Sequence, residues 1–499
     1  MQKSDCNTYL TARGYIIRKK SLTPRRETKL RSSLTVIPFE KQQHIMSNYG
    51  AVPTKFPLFL ENPAKYYVPR FWGIENHGVP DRDELCDHGE DIEISFGGSL
   101  RPKQQIILDQ YIPVLEKQGG GILNLGCAQG KTVMALYTFC HFKKKTLVVV
   151  HKSFLMDQWI ERIKQFIPTA RIGIIQGAKT QIEDVDIVIA MLQSISTRTY
   201  EPHVFSSFGM TIVDECHHAA AEVFSRAFTK ISTRYMMGLS ATLDRKDGLR
   251  KVFEWYLGPA VAIKLPEDSS VSQGRVCVKM IKFLDPEYQV PTTNARGTLN
   301  LPRMINILVE SPKRNQMVLD LIRKFSQNEN RHILVLSERR GHLNYMAELV
   351  LEKLNMESGM YVGGESREKL KASEKKQVIF GTYHMISEGF DLPTLNTLIY
   401  ASPKSDVIQA SGRILRQLPE DRKCVPCIID IWDSCVSLDK KGDQRRRFYK
   451  KSKFEIKETQ GTQGTQGSES FKYLECLDDL DDDLDDDLDD DLDDDHEID

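Results

Sequence analysis

The chain reads as an α/β protein with two tandem parallel-sheet domains, a small N-terminal domain and a low-complexity acidic tail. Three observations lead there. From about Leu100 onward, short β-branched runs alternate with helical spans. Those runs are apolar throughout, as in strands covered on both faces, rather than alternating apolar with polar. The rhythm breaks near residue 265 and restarts after 310, so the pattern describes two sheets and not one. Strand, helix, strand repeated in this way gives a parallel sheet.

Residues 1–95 combine a basic stretch, "RKKSLTPRRETKLR" (18–31), with "FPLFLENPAKYYVPRFWG" (56–73). Aromatic residues are too frequent there for a disordered arm, so the segment is expected to be a small accessory domain, with DNA as its candidate ligand. The first parallel-sheet domain, 96–265, contains "TLVVV" (146–150), "DIVIAM" (186–191), "MTIVDE" (210–215) and "MMGLSAT" (236–242). Residues 266–310 carry Pro, Ser, Gly and Asn and read as a connector with some structure. The second domain, 311–456, contains "HILVLS" (332–337), "KQVIFGT" (376–382), "TLIYAS" (397–402) and "CVPCIIDIW" (424–432). Residues 457–499 are low complexity: "GTQGTQG" (461–467) is a flexible linker, and "DDLDDDLDDDLDDDLDDD" (478–495) repeats carboxylates that repel one another.

Hydrophobic residues make up 40% and charged residues 27% of the 499, as in a globular protein of several domains. No apolar run approaches the ~18–20 residues that span a bilayer, so no membrane partner is expected. The start of the chain lacks the apolar segment of a secretory signal. The ten cysteines are scattered and several lie in apolar runs, which favours free thiols in a reducing, intracellular compartment. "CVPC" (424–427) has no second pair at ligand spacing and falls in a core strand. The formal net charge of −1 hides a segregation of sign. Residues 475–499 hold 17 acidic side chains and no Lys or Arg, which leaves 68 Lys and Arg against 69 − 17 = 52 acidic, a net of +16, for residues 1–474. A basic body fits a polyanionic partner, although a solvated surface has the same composition.

Chemistry concentrates in two places. "ILNLGCAQGKTVMAL" (122–136) supplies a strand, a glycine turn, Lys131, Thr132 and a helix in the order of a phosphate-binding loop, with Leu125 where the general pattern has glycine. Backbone N–H groups at a helix start point at the anion, lysine neutralises the outer phosphates, and the threonine hydroxyl joins the Mg²⁺ shell. Gly126, Cys127, Ala128, Gln129 and Gly130 form the cradle. In "MTIVDECHH", Asp214 and Glu215 follow an apolar strand directly, where ligands of open α/β sheets bind. Asp214 would hold Mg²⁺ through water and Glu215 would polarise an attacking water, or both would cap the next helix.

Gly130-Lys131-Thr132, "DECH" (214–217), "SAT" (240–242) and "QASGRILR" (409–416) resemble motifs I, II, III and VI of the superfamily 2 helicases. The resemblance covers roughly residues 100–455 and is strongest to the XPB-like branch encoded by large DNA viruses, whose members also lack the glycine at the position of Leu125. It implies two RecA-like domains, ATP and Mg²⁺ as cofactors, and nucleic-acid-dependent ATP hydrolysis. "LRPKQQ" (100–105) is similar to the adenine-reading Q motif, with Gln104 as the base contact. "VHKSFLMDQW" (150–159) and "AMLQSIS" (190–196) look like motifs Ia and Ib, which places His151, Lys152, Gln193 and Ser194 on the nucleic-acid backbone. "GTYHMISEGFDLP" (381–393) resembles motif V, with Thr382 toward nucleic acid and Gly389 and Asp391 toward nucleotide. "RKDG" (245–248) stands where that branch carries an Arg-Glu-Asp loop, with Lys246 replacing an acid.

By the same resemblance, Ser240, Ala241 and Thr242 couple hydrolysis to movement, and His217 links the nucleotide site to Gln409. Arg413 and Arg416 belong to the second domain and would reach the γ-phosphate when the domains close over ATP. A planar guanidinium binds phosphate oxygens in pairs, and such a finger contributes ~10³–10⁵ to hydrolysis. The expected activity is an ATP-dependent helicase on single-stranded or duplex DNA, with RNA as the other track, within transcription, replication or repair machinery. Such members often track 3′ to 5′. For a viral chain the place of action would be the host nucleus, a cytoplasmic replication site or the virion. Two rival readings share the motor: a duplex-DNA translocase or transcript-release factor that separates no strands, and an ATP-dependent clamp or scaffold.

Overall fold

The computed structural model describes residues 6–37, 55–85, 88–126, 129–218, 221–241, 248–265, 274–288, 292–294, 297, 299–390, 392–417, 419–435 and 438–460. The chain forms two compact units, 1–269 and 270–499. The glycine-glutamine linker and the acidic tail lie outside the described residues. No helix among the described residues is long and apolar enough to cross a membrane.

In the first unit the described strands of the large sheet lie in the order Lys179–Thr180, Ile172–Gln176, Ile187–Met191, Thr146–Val150, Met210–Val213, Tyr235–Ser240, Gly120–Asn124. All pairs are parallel except that of the short edge strand Lys179–Thr180. The unbroken apolar runs have the expected cause. Val148, Val150, Ile187 and Ile189 enter one core cluster, and Leu147, Val149, Val188 and Ala190 enter the other. Helices on both sides bury both sets of side chains. In sequence, three long strands separate Lys131 from Asp214; in the sheet, only Tyr235–Ser240 stands between their strands.

The N-terminal segment builds its own sheet, ordered Leu60–Glu61, Lys65–Val68, Gly14–Arg18, Thr8–Thr11, Arg82–Asp83. One face packs against the large-sheet domain. Tyr15, Ile17, Tyr66 and Val68 share a core with Phe224, Phe228, Phe253 and Tyr256, and the Tyr256 hydroxyl donates to Leu58 O at 3.0 Å. Packing therefore does not stop at residue 95. Arg70, buried in this seam, donates to the carbonyls of Gln118, Gly119, Thr233 and Arg234 at 2.9–3.3 Å. Burial lowers its proton affinity to about 10, and these carbonyls hold the cation. Gly119 ends the preceding helix with φ 72°, and a Cβ there would lie 2.1 Å from Arg70 Nη2. These carbonyls lie at the starts of Gly120–Asn124 and Tyr235–Ser240, so the seam sits at the opposite end of the strands from the turn that leads into helix Lys131–Phe142.

The second unit has a parallel sheet ordered Ser358–Tyr361, Val378–Thr382, Ile333–Ser337, Thr397–Tyr400, Cys427–Asp433, Cys277–Phe283, Glu455–Gln460. Cys277–Phe283 comes from the stretch read as a connector. It is an interior strand, paired with Cys427–Asp433 on one side and Glu455–Gln460 on the other. Its lysines interrupt the apolar run, but Lys282 extends over the Trp432 ring at 4.7 Å and Lys279 is buried. Leu301–Val309 is a helix with Asn300 as its N-cap. Glu455–Gln460 runs across the expected end of the domain at 456.

Candidate nucleotide site

Strand Gly120–Asn124 leaves the sheet through Leu125, whose N–H donates to Ser240 O at 3.0 Å. After the loop, helix Lys131–Phe142 begins directly at the lysine, with Gly130 as N-cap at φ 75°. That left-handed backbone suits glycine, and a Cβ on Gly130 would fall 2.2 Å from Gln104 Nε2. Thr132 stands in the first helical turn and Gly126 opens the loop. Cys127 and Ala128 lie outside the described residues. Gln104 is buried: its Oε1 accepts from Arg101 N at 3.0 Å and its Nε2 donates to Gln129 O at 3.3 Å. In this arrangement it braces the loop against the start of its own helix.

Lys131 Nζ donates to Leu125 O at 3.1 Å and lies 3.7 Å from Glu215 Oε1. Glu215 Oε2 is 3.4 Å from His217 Nδ1, which is 3.0 Å from Ser240 Oγ. A single polar chain thus runs Lys131–Glu215–His217–Ser240 across the ends of three neighbouring strands. Three of the four fragments that carried the resemblance, around Lys131, Glu215 and Ser240, meet here, whereas the fourth, 409–416, belongs to the second unit. Glu215 sits at φ 43°, a region that non-glycine residues seldom occupy.

Asp214 is 8% exposed, with its N–H on Val149 O at 3.0 Å and its Oδ2 accepting from Trp159 Nε1 at 2.8 Å. Burial, reinforced by the neighbouring Glu215 charge, pushes its carboxyl up to about 6; the indole N–H and Lys131 act in the other direction. Trp159, which donates to Asp214, is a residue of this cluster that sequence reading passed over. It belongs to the stripe Leu155, Met156, Trp159 and Ile163 that helix Ser153–Phe166 buries, and only its polar edge distinguishes it from core.

The residues assigned to nucleic acid are less uniform. His151 and Lys152 precede helix Ser153–Phe166 and are half-buried. Gln193 reaches His151 O at 3.2 Å, which ties the two segments together. Ser194 is turned inward: it is 8% exposed and its Oγ accepts from Gly177 N at 2.9 Å, so the described geometry has it supporting a loop.

In the second unit, Thr382 precedes helix Tyr383–Gly389, which Gly389 closes; Asp391 lies outside the described residues. Gln409 lies in helix Ile408–Ser411 and Arg413 in the 3₁₀ turn Gly412–Leu415, with Arg416 next. Three residues per turn bring Arg413 and Arg416 to one side, half-buried, while Ala410, Ser411 and Ile414 are buried. Ser411 Oγ is 2.8 Å from the Tyr400 hydroxyl. In the first unit, Ala241 follows Ser240 and is half-buried, whereas Thr242 and Arg245–Asp247 lie outside the described residues.

Residues 97–245 match the family described as "Type III restriction enzyme, res subunit". Over 465 residues the chain is 35% identical to the "Putative ATP-dependent RNA helicase" of Acanthamoeba polyphaga mimivirus, across 91% of this chain and 87% of that one. It is 27% identical over 380 residues to the "Putative helicase" of Invertebrate iridescent virus 6, across 72% of this chain and 83% of that one. Among solved structures, the ATP-dependent Type ISP restriction-modification enzyme LlaBIII bound to DNA matches 76% of this chain and 32% of that one. Its TM-score of 0.50 at 15% identity is a likeness of fold.

Proposed function

The chain belongs to the superfamily 2 helicases and is an ATP-dependent helicase; on that premise we propose that it tracks along DNA and separates its strands. The polar chain Lys131–Glu215–His217–Ser240 carries this reading, because it joins nucleotide chemistry to the strand end whose loop leads onward in sequence. ATP would lie over the start of helix Lys131–Phe142, with its outer phosphates facing Lys131. Glu215 would orient the attacking water and accept its proton, and Arg413 and Arg416 would neutralise the transferring phosphoryl group. Thr132 and the buried carboxylate of Asp214 fit a divalent ion, which when bound supplies positive charge at the phosphate oxygens. Gln104 and Gln129 would hold the loop, and we assign Gln104 to the base by its place in the Q-motif-like stretch. His217, Ser240 and Ala241 would pass the presence of γ-phosphate to the nucleic-acid segments around His151, Lys152 and Gln193.

We assign the chain to the XPB-like branch on the loop lacking a glycine at Leu125, and place it in viral transcription, replication or repair. A second reading, RNA as the track, comes from the name of the mimivirus relative. The acidic tail would compete for the basic body, so deleting 475–499 should tighten DNA binding at low salt; unchanged affinity removes that idea.

The test is steady-state ATPase activity of wild type and Lys131→Ala with no nucleic acid, single-stranded DNA, duplex DNA and RNA. Stimulated turnover should fall at least about a hundredfold in the variant. Stimulation that survives Lys131→Ala would remove the mechanism, and the best activator identifies the track. Strand displacement beside triplex displacement separates unwinding from translocation alone.

A further inference from the structure

The N-terminal sheet has a second face that the shared core does not use. Strand register aligns Arg82, Tyr9, Ile16, Tyr67 and Leu60 in one row across all five strands, with Arg18 and Lys65 paired in the next row. Because side chains alternate along a strand, these residues share one side, and Tyr15, Ile17, Tyr66 and Val68 point to the other. The neighbouring helices contact that other side: Gly73 packs on the Tyr15 ring, and Glu27 accepts from the Tyr66 hydroxyl. Ile16 is buried between its cross-strand neighbours Tyr9 and Tyr67, which are themselves half-buried, and Leu60 is 40% exposed.

Cations sit over both tyrosines. The Arg13 guanidinium is 4.6 Å from the Tyr67 ring centre, and Arg18 and Lys65 are 5.3 and 5.4 Å from that of Tyr9. A second cation–π group, at helix Pro24–Ser33, provides the contrast. There Lys19 and Arg31 lie over Tyr66 but also bind the Glu61 carboxylate at 2.5 and 2.7 Å. That group is neutralised within the fold. Arg13 and Lys65 have no carboxylate partner among the described residues. Arg82 has one, Glu84 at 3.3 Å.

We propose that this face binds single-stranded nucleic acid, with bases layered on Tyr9 and Tyr67 or on the guanidiniums above them, and phosphates on Arg13, Arg18 and Lys65. Flat aromatic and guanidinium surfaces about two strands apart offer successive bases a π-face without reading their edges, and the cations track the backbone. Duplex DNA hides its base faces and would gain only the charge term. The site extends the nucleic-acid reading to the N-terminal sheet without using the ATP site, and it is placed away from the phosphate loop. It would hold a strand between motor cycles.

The experiment measures fluorescence anisotropy of labelled dT20, U20 and a 20-base-pair duplex with the full chain carrying Lys131→Ala, without nucleotide. Tyr9→Leu/Tyr67→Leu, which keeps Ile16 covered, should weaken dT20 or U20 binding about tenfold for each tyrosine and duplex binding little. Arg13→Gln/Lys65→Gln should lower the slope of log K against log salt by about 0.7 for each lost phosphate contact. The stronger of dT20 and U20 names the natural strand. Affinity within twofold of the parent in variants whose melting is unchanged would overturn the proposal, as would an equal loss for duplex. Stimulated ATPase in the same variants without Lys131→Ala tests the motor separately, so its retention beside lost dT20 binding leaves both readings standing.

Discussion

The ends of the two large sheets handle charge in opposite ways. In the first unit the ionisable groups are loosely matched: Lys131 is 3.7 Å from Glu215, and Glu215 is 3.4 Å from His217. In the second, buried ions are matched atom for atom. Arg445 binds both Asp430 oxygens at 2.8 and 2.6 Å with Tyr449 adding a third contact at 2.8 Å, and Arg314 binds both Asp433 oxygens at 2.9 and 3.2 Å. Arg314 and Arg445 also donate to the carbonyls of Ala401 and Lys404, which lie just beyond strand Thr397–Tyr400. A charge whose geometry is completed inside the fold sets the backbone around it. One held at a longer distance can re-pair with a ligand at small cost. The second unit's buried pairs hold the segment leading to Arg413 and Arg416, whereas the first unit's groups would meet the nucleotide themselves.

The comparison breaks most directly at Arg416. Arg416→Ala should lower stimulated ATPase by ~10³-fold or more while leaving the unfolding midpoint in denaturant unchanged. A variant that unfolds early instead would class Arg416 with the framework. Arg445→Met should do the reverse, because Asp430 is left as a buried unpaired charge. We expect a loss of about 3–5 kcal/mol in chemical denaturation of the second unit, with ATP binding by the first unit retained. Little loss would mean that Tyr449 and water replace the guanidinium.

Trp159→Phe sharpens the first side of the contrast. It keeps the ring but removes the donor to a buried carboxylate, a loss of about 1.5–3 kcal/mol shared between stability and the concentration of Mg²⁺ that half-saturates ATPase. No change in either quantity would reduce Trp159 to a core residue. The smallest effect concerns His342, buried between Ser337 Oγ at 3.0 Å and Asn315 Oδ1 at 2.9 Å, where burial and Arg314 hold its proton affinity down to about 3. The folded value lies below the unfolded ~6.5. The stability is therefore present above pH 6.5 and is lost as pH falls toward 3, by at most about 1.4 kcal/mol per pH unit. His342→Gln should flatten that decline relative to wild type in urea melts between pH 7 and 5; parallel curves would show that the histidine takes up no proton on unfolding there.

Sequence reading succeeded where the determinant was local. "TLVVV" (146–150) coincides with the strand Thr146–Val150, because five buried residues covered on both faces leave nothing else for the run to be. It allowed some structure around Cys277–Phe283 but not an interior strand of the second sheet, because two lysines interrupt the apolar run and Trp432 covers one of them. Ser194 shows the same limit at the site, since a motif match does not say which way a hydroxyl faces.

The strand, glycine turn and helix around Lys131, the strand before Asp214 and the turn bearing Arg413 were legible as backbone elements from residue order, since they are built from hydrogen bonds between near neighbours. Residue order did not tell which strands would lie side by side, that Trp159 would reach Asp214 across 55 positions, or that Arg70 would join the N-terminal sheet to carbonyls near 118 and 234. Nor did it show which side of the N-terminal sheet would be left with tyrosines and cations. Those features depend on register and on competition among apolar faces for burial, and a one-residue slip in a strand would have reversed them.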